Sequence, residues 1–322
     1  MAAEGTGCGP APTHRAVMRT AVLAAVAGPL LAGCSIRLED DAPPFPLLPR
    51  KSVPDEAVLV DLVRRTAALA QAAGRVPKPT EAVARLSSLH QTQADVLRAR
   101  LTSAGVPNHV IDGTSTASTT PSVAVSAPAT ATAGELAAGE TAVVTVVLPA
   151  LPTVTVVNRA VVASVVASCG AAAELLGATI SWPPADPLPP EAAVPMLDAT
   201  RSATYAFQVV AAQTSGDRRK VAVNTHTDLT ARAAELLAMA GSSAPPDPLG
   251  YALPFPVTGA DVAARLANQV LTTLVAGGLE PVATLPDDST ASTTLVRLLV
   301  GAQRLGRSWG VPPVPFPGQA YP

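Results

Sequence analysis

From Pro46 to Ser181 the chain has no Phe, Tyr or Trp, so any core built from that stretch must close with Ala, Val and Leu. Side chains this small fill the gap between closely approaching helices better than the space between two sheets. The same gap removes the stacking platforms that sugars or single-stranded nucleic acid would use. No basic tract is present either, and neither nucleic acid nor an anionic lipid surface is expected as a partner.

The N-terminus reads as an export signal. Arg15 and Arg19 precede an uncharged run from Ala21 to Leu31, which suits a signal-peptide core and is too short for a spanning helix. Leu31-Ala32-Gly33-Cys34 then matches a bacterial lipobox, in which the Cys34 sulfur receives a diacylglycerol and becomes the first mature residue. Residues 1–33 are therefore expected to be a signal peptide, with a natural start at Met18. Two acyl chains contribute about 0.8 kcal/mol per buried methylene, enough to hold a protein on the extracytoplasmic face of a membrane. Removing residues 1–33 leaves 20 basic against 23 acidic side chains. Once Cys34 is acylated only Cys169 remains, so no intramolecular disulfide is available. Cys169 lies in an apolar run with no basic neighbour and reads as a small buried hydrophobe.

Residues 34–54 carry Pro43, Pro44, Pro46, Pro49 and Pro54 and read as a stiff tether. Helical periodicity begins at Asp55, an apparent N-cap, with Leu59, Leu62, Val63, Thr66, Leu69 and Ala73 on one face. A second helix opens at Thr80-Glu81 and places Val83, Leu86, Leu89, His90, Leu97 and Leu101 in register. Residues 113–132, rich in Ser, Thr, Ala and Pro, read as a disordered loop. From Glu135 to Ala178 two helices are expected, divided by Pro149 and Pro152. A membrane span over Thr141 to Asn158 is disfavoured by those prolines.

Beyond Trp182-Pro183-Pro184 the pattern predicts helices from Glu191 to Thr214 and from Gly216 to Met239. A third opens on a Thr258 cap with Asp261, and a fourth runs from Ser289 to Gly310. Ala172-Ala-Glu-Leu-Leu176 recurs as Ala233-Ala-Glu-Leu-Leu237, each copy followed by a Pro-Pro run. The fold class expected is all-α: two four-helix bundles over residues 55–182 and 190–322.

Thr200-Arg-Ser-Ala-Thr-Tyr-Ala-Phe-Gln-Val209, then His226, then Tyr251-Ala-Leu-Pro-Phe-Pro-Val-Thr258 and Val314-Pro-Phe-Pro-Gly318, resemble the actinobacterial ferritin-like family known as domain of unknown function 4439. The resemblance covers about residues 191–322. It implies a ferritin-like four-helix bundle, often borne on lipoproteins, with no known activity. Members commonly have Glu and His where this chain has Thr200 and Arg201.

A di-iron bundle needs Glu-x-x-His on two helices, and no Glu-x-x-His occurs in this chain. His14, His90, His109 and His226 each stand apart from a second ligand in sequence. Asp198, Asp228, Glu235 and Asp261 are too few and too far from His226 to define a site. His90 reads as a hydrogen-bonded histidine at the core edge, and His226 as a solvated or locally bonded one. Tyr205 and Phe207 fit a bundle core. No catalytic residue, metal or cofactor is expected. The chain is thus expected to be a non-catalytic envelope lipoprotein with a binding or scaffolding role, its partner an unidentified envelope protein or apolar ligand. The alternatives are a ferritin-type oxidoreductase and a carrier of an apolar ligand.

Overall fold

A computed structural model describes residues 50–113 and 130–319. The signal peptide, Leu31, Ala32, Gly33, Cys34, the tether up to Pro49 and most of the 113–132 loop lie outside the described residues. Within them the chain is helical and no strand is present: α1 (Glu56–Gly74), α2 (Glu81–Ser103), a short α3 (Asn108–Asp112), α4 (Ala133–Val147), α5 (Val156–Leu175), α6 (Pro190–Gln213), α7 (Gly216–Ala240), α8 (Ala260–Ala276) and α9 (Ala291–Arg307). The all-α class follows from the sequence; α3, one turn long, does not show in the periodicity.

Helix starts reveal where local signals hold and where tertiary contacts take over. The Thr80 hydroxyl accepts from Val83 N, as expected of an N-cap. Thr132 and Glu135 form a reciprocal capping box on α4. Asp55 does not cap α1. Its backbone is left-handed, and its carboxylate reaches α5, accepting from Thr155 N at 3.2 Å and from Asn158 Nδ2 at 2.8 Å. With the Thr155 hydroxyl, which also donates to it, three donors at a neighbouring helix start hold the carboxylate away from the local backbone. Thr258 likewise makes no cap on α8; the helix begins after Gly259, at φ 86°, whose N–H donates to Gln213 Oε1 at 3.0 Å.

α1, α2, α4 and α5 close around Leu62, Leu86, Leu97, Leu136, Val162 and Val166. α6 to α9 close around Ala203, Phe207, Val210, Leu229, Leu266 and Trp309, with Phe207 edge-on to Trp309 at 5.4 Å. α5 is the helix that both groups use. It is buried on nearly every side, which suits its lack of a polar face. Gly170 lets α9 come so near that an added Cβ would lie 2.8 Å from Val300 Cγ2, and Gln303 Nε2 donates to the Ala167 carbonyl at 3.2 Å. From Lys51 onward the described residues form one compact unit.

Ala133–Thr153 and Val156–Leu175 are each apolar and long enough to cross a membrane. Pro149 and Pro152 sit in a 3-10 turn, Leu148–Thr153, that separates α4 from α5. Most of the second segment is buried inside the protein. The helices packed around it within the N-terminal group carry no aromatic side chain and are small enough to approach it closely.

Two further ties cross between the groups. Arg159, almost wholly buried, donates to the carbonyls of Val154 and Leu285 and to Asp287 Oδ1 at 2.6 Å. The closing Pro-Phe-Pro segment lies against α2 and α5: Gln93 Nε2 donates to the Pro315 carbonyl at 2.6 Å, and Ser164 Oγ to that of Pro317 at 2.7 Å.

Candidate functional site

Each helix of the N-terminal group presents a stripe of Leu, Val or Ala to the core, and on α2 and α4 that stripe is interrupted. His90 falls one turn after Leu86 and two turns before Leu97. Glu140 falls between Leu136 and Val143-Val144. Both are wholly buried, and His90 Nε2 lies 2.6 Å from Glu140 Oε1. Cys169 of α5 completes the group: one ligand atom from each of the three side chains lies within 4.8 Å of the others.

His90 is thus at the centre of this core, not at its edge, and it is not isolated. The reason is rotational: the helix period points the three residues at a common axis although they are far apart in sequence.

Hydrogen bonding fixes the histidine. Gln93 Nε2 is committed to the Pro315 carbonyl, so Gln93 Oε1 faces His90 Nδ1 at 2.8 Å, and Nδ1 must carry a proton. A single proton is then shared between His90 Nε2 and Glu140 Oε1. Glu140 Oε2 is buried with no hydrogen-bond partner. Burial pushes the Cys169 thiol well above its ordinary range, and the charge and hydrogen bonding of Glu140 add to that. The thiol is neutral at physiological pH. The apolar run around Cys169 predicts a buried hydrophobe; the residue is buried, but a carboxylate stands beside it.

The interior of the C-terminal group is different. Thr200 and Thr225 are buried and turn their hydroxyls to carbonyls of their own helices, Met196 and Val221. Arg201 turns outward, to the Pro245 carbonyl at 2.9 Å and Asp247 Oδ1 at 3.5 Å. Asp198, Asp228 and Asp261 are exposed, and Glu235 pairs with Arg297 at the surface. Among the described residues the core these helices enclose is hydrocarbon and aromatic apart from buried threonines, of which Thr225 accepts from Trp309 Nε1 at 3.0 Å. That donor set does not fit a di-iron centre.

Outside that core, α6 and α7 form a cleft of about 480 Å³ with the 245–251 loop. Arg201, Tyr205, Gln208, His226, Thr230 and Tyr251 line it. Tyr205 and Tyr251 stack at a tilt, 6.2 Å apart, and the Tyr251 hydroxyl donates to Asp198 Oδ1 at 3.2 Å. Partial burial and Asp198 push the Tyr251 hydroxyl up. His226 is half-buried here, and its Nε2 is buried with no partner, which differs from a solvated residue. Leu249 stands fully exposed at the rim. His109 lies exposed on α3.

Two other hollows are weaker candidates. Arg232, Arg297 and Arg304 share one with Glu174, Asp228 and Glu235. Burial lowers Arg232 to about 10, yet three cations facing three carboxylates leave little net attraction for an ion. An apolar groove of about 70 Å³ runs between Leu86, Ala172, Leu175, Val275 and Pro312–Val314. At roughly 10–15 Å³ per water-sized group it holds only a few atoms, far fewer than a lipid chain.

Comparison with known families matches residues 192–321 to the family described as a domain of unknown function (DUF4439). No curated protein and no solved structure gave a match. The matched span starts in α6 and includes the Pro315–Pro317 segment that reaches the His90 cluster.

Proposed function

With residues 192–321 carrying a DUF4439 domain, we propose that this chain is an exported lipoprotein, held through Cys34 to the outer face of a cell membrane, and that it works by binding rather than catalysis. Its ligand is a small polar molecule taken into the α6–α7 cleft. One observation supports this above the rest. Arg201, Tyr205, His226 and Tyr251 come from three separate segments, yet they line one cleft, where His226 Nε2 has no partner.

The cleft has the size of small-molecule sites, which run from about 300 to 1,000 Å³. Tyrosine rings supply flat apolar contact, while the hydroxyls, amide and imidazole supply direction. The carboxylates nearby, Asp198 and Asp247, are already engaged with Tyr251 and Arg201. His226 therefore has a vacant hydrogen-bond position and no acid to make it a general base, which favours recognition over turnover.

The test is native mass spectrometry of protein released gently from its own membranes. A bound small molecule, lost in the Tyr205→Ala and His226→Leu variants, supports the reading. A ligand-free protein, or one whose ligand survives both changes, contradicts it. Labelling with a radioactive fatty acid checks the anchor: Cys34→Ala should remove the label, and undiminished labelling would refute the attachment.

A further inference from the structure

We propose that His90, Glu140 and Cys169 form a buried site for a divalent transition metal of the zinc type. The donors are an imidazole nitrogen, a carboxylate and a sulfur, each of a kind that zinc accepts. They converge from three helices at the centre of an apolar core, and their ligand atoms lie within 4.8 Å of one another. A tetrahedral zinc with bonds of roughly 2.0 to 2.3 Å separates its ligands by about 3.5 Å. The 2.6 Å contact between His90 and Glu140 must therefore open by about 1 Å to admit the ion.

Charge supports a divalent ion over other cations. Uptake replaces the proton shared by His90 and Glu140 and the proton on the Cys169 thiol, so two protons leave as M²⁺ enters. Neutral imidazole, one carboxylate and one thiolate then balance two positive charges. A core of Leu, Val and Ala tolerates such a neutral assembly, where any uncompensated charge would be costly.

Glu140 Oε2 is the independent sign of a vacancy. A buried carboxylate oxygen without any hydrogen bond is costly, and this one lies at the cluster. It is free to bind the ion in place of Oε1, and three protein ligands leave the fourth position of the tetrahedron to water. His90 is also held as a metal-bound histidine is held: Nδ1–H donates to Gln93, which is fixed in turn by the Pro315 carbonyl, leaving Nε2 for the ion. The apolar groove marks the approach, since its wall includes Leu86, one turn from His90, and Ala172, one turn from Cys169.

Titration of the chelator-treated full chain with Co²⁺ tests this. Saturation at one equivalent is expected, with a thiolate-to-metal charge-transfer band and the visible bands of a tetrahedral ion. Cys169→Ala should abolish the charge-transfer band, in the processed lipoprotein and equally in unprocessed chain that keeps Cys8 and a free Cys34, and Gln93→Leu, which alters a positioning residue, should weaken binding about 10- to 100-fold. The His90→Leu/Glu140→Leu pair should lose the visible bands. It removes both members of the couple, so no lone charge is left buried; if that pair fails to fold, the Cys169→Ala result decides alone. Absence of Co²⁺ uptake by the folded parent, or a band unchanged in Cys169→Ala, would overturn the proposal and leave the cluster as a device that only sets helix register.

Discussion

The two helical groups place polar chemistry in opposite ways. Around α2, α4 and α5 it is inside: a histidine, a glutamate and a thiol meet in a core to which α1, α2, α4 and α5 themselves contribute no Phe, Tyr or Trp. Around α6 to α9 the inside is hydrocarbon closed by Phe207 and Trp309, and the polar groups face a cleft on the outer side. The family match falls on the second group, while the buried donors lie in the first. The family match alone therefore directs attention away from the interior that holds the polar groups. The two groups are nevertheless one physical object, because α5 is shared and the closing Pro-Phe-Pro segment of the matched span holds the histidine of the other.

The most damaging single change should fall on the inner cluster. In metal-free protein, Glu140→Leu leaves His90 buried without its partner and should cost about 3–5 kcal/mol in denaturant unfolding. Adding His90→Leu should return stability to within about 1 kcal/mol of the parent or above it. Equal losses in the single and double variants would mean the cluster is not an isolated couple.

A middling effect is expected where the groups meet. Gly170→Val drives a methyl toward Val300 and should cost about 1–3 kcal/mol, part of it regained with Val300→Ala. Strict additivity of the two changes would place α5 and α9 out of contact, and the contrast drawn above would then describe two separate bodies.

The smallest effects concern helix starts. Thr132→Ala should cost about 1 kcal/mol by opening the α4 capping box. For Asp55, partial burial raises the carboxyl, but the hydrogen bonds from Thr155 and Asn158 outweigh it and hold it below the usual range. Its contribution is therefore complete above the ordinary aspartate value of 3.8 and fades as pH falls through the lowered folded value. Asp55→Asn should flatten the acid limb of the stability profile; an unchanged limb would mean the Asp55 contact to α5 adds nothing in solution.

Much of the fold was legible because it is local. Gly74 with Pro77, Thr80, Gly105 with Pro107, and the Pro149/Pro152 break all mark element ends by rules that act within one turn. Asp55 and Thr258 misled for the complementary reason: a cap is decided by whichever donors come within reach, and those near Asp55 belong to a helix a hundred residues away. The inner cluster was hidden by the same long range, since no short motif joins His90 to Glu140 to Cys169. A weaker signal was available. Glu140 occupies the buried stripe of α4, between Leu136 and Val144, and a carboxylate in such a place demands a partner. The cleft was half legible, because its residues were singled out by family likeness, yet only their convergence gives them a common surface.

Hydrogen–deuterium exchange of the full chain, with and without one equivalent of Zn²⁺, tests the contrast most directly. Slower exchange around His90, Glu140 and Cys169 and at Gln93, with α6 and α7 unchanged, is the expected result. Protection confined to α6–α9, or no change around those three residues under saturating metal, would contradict it.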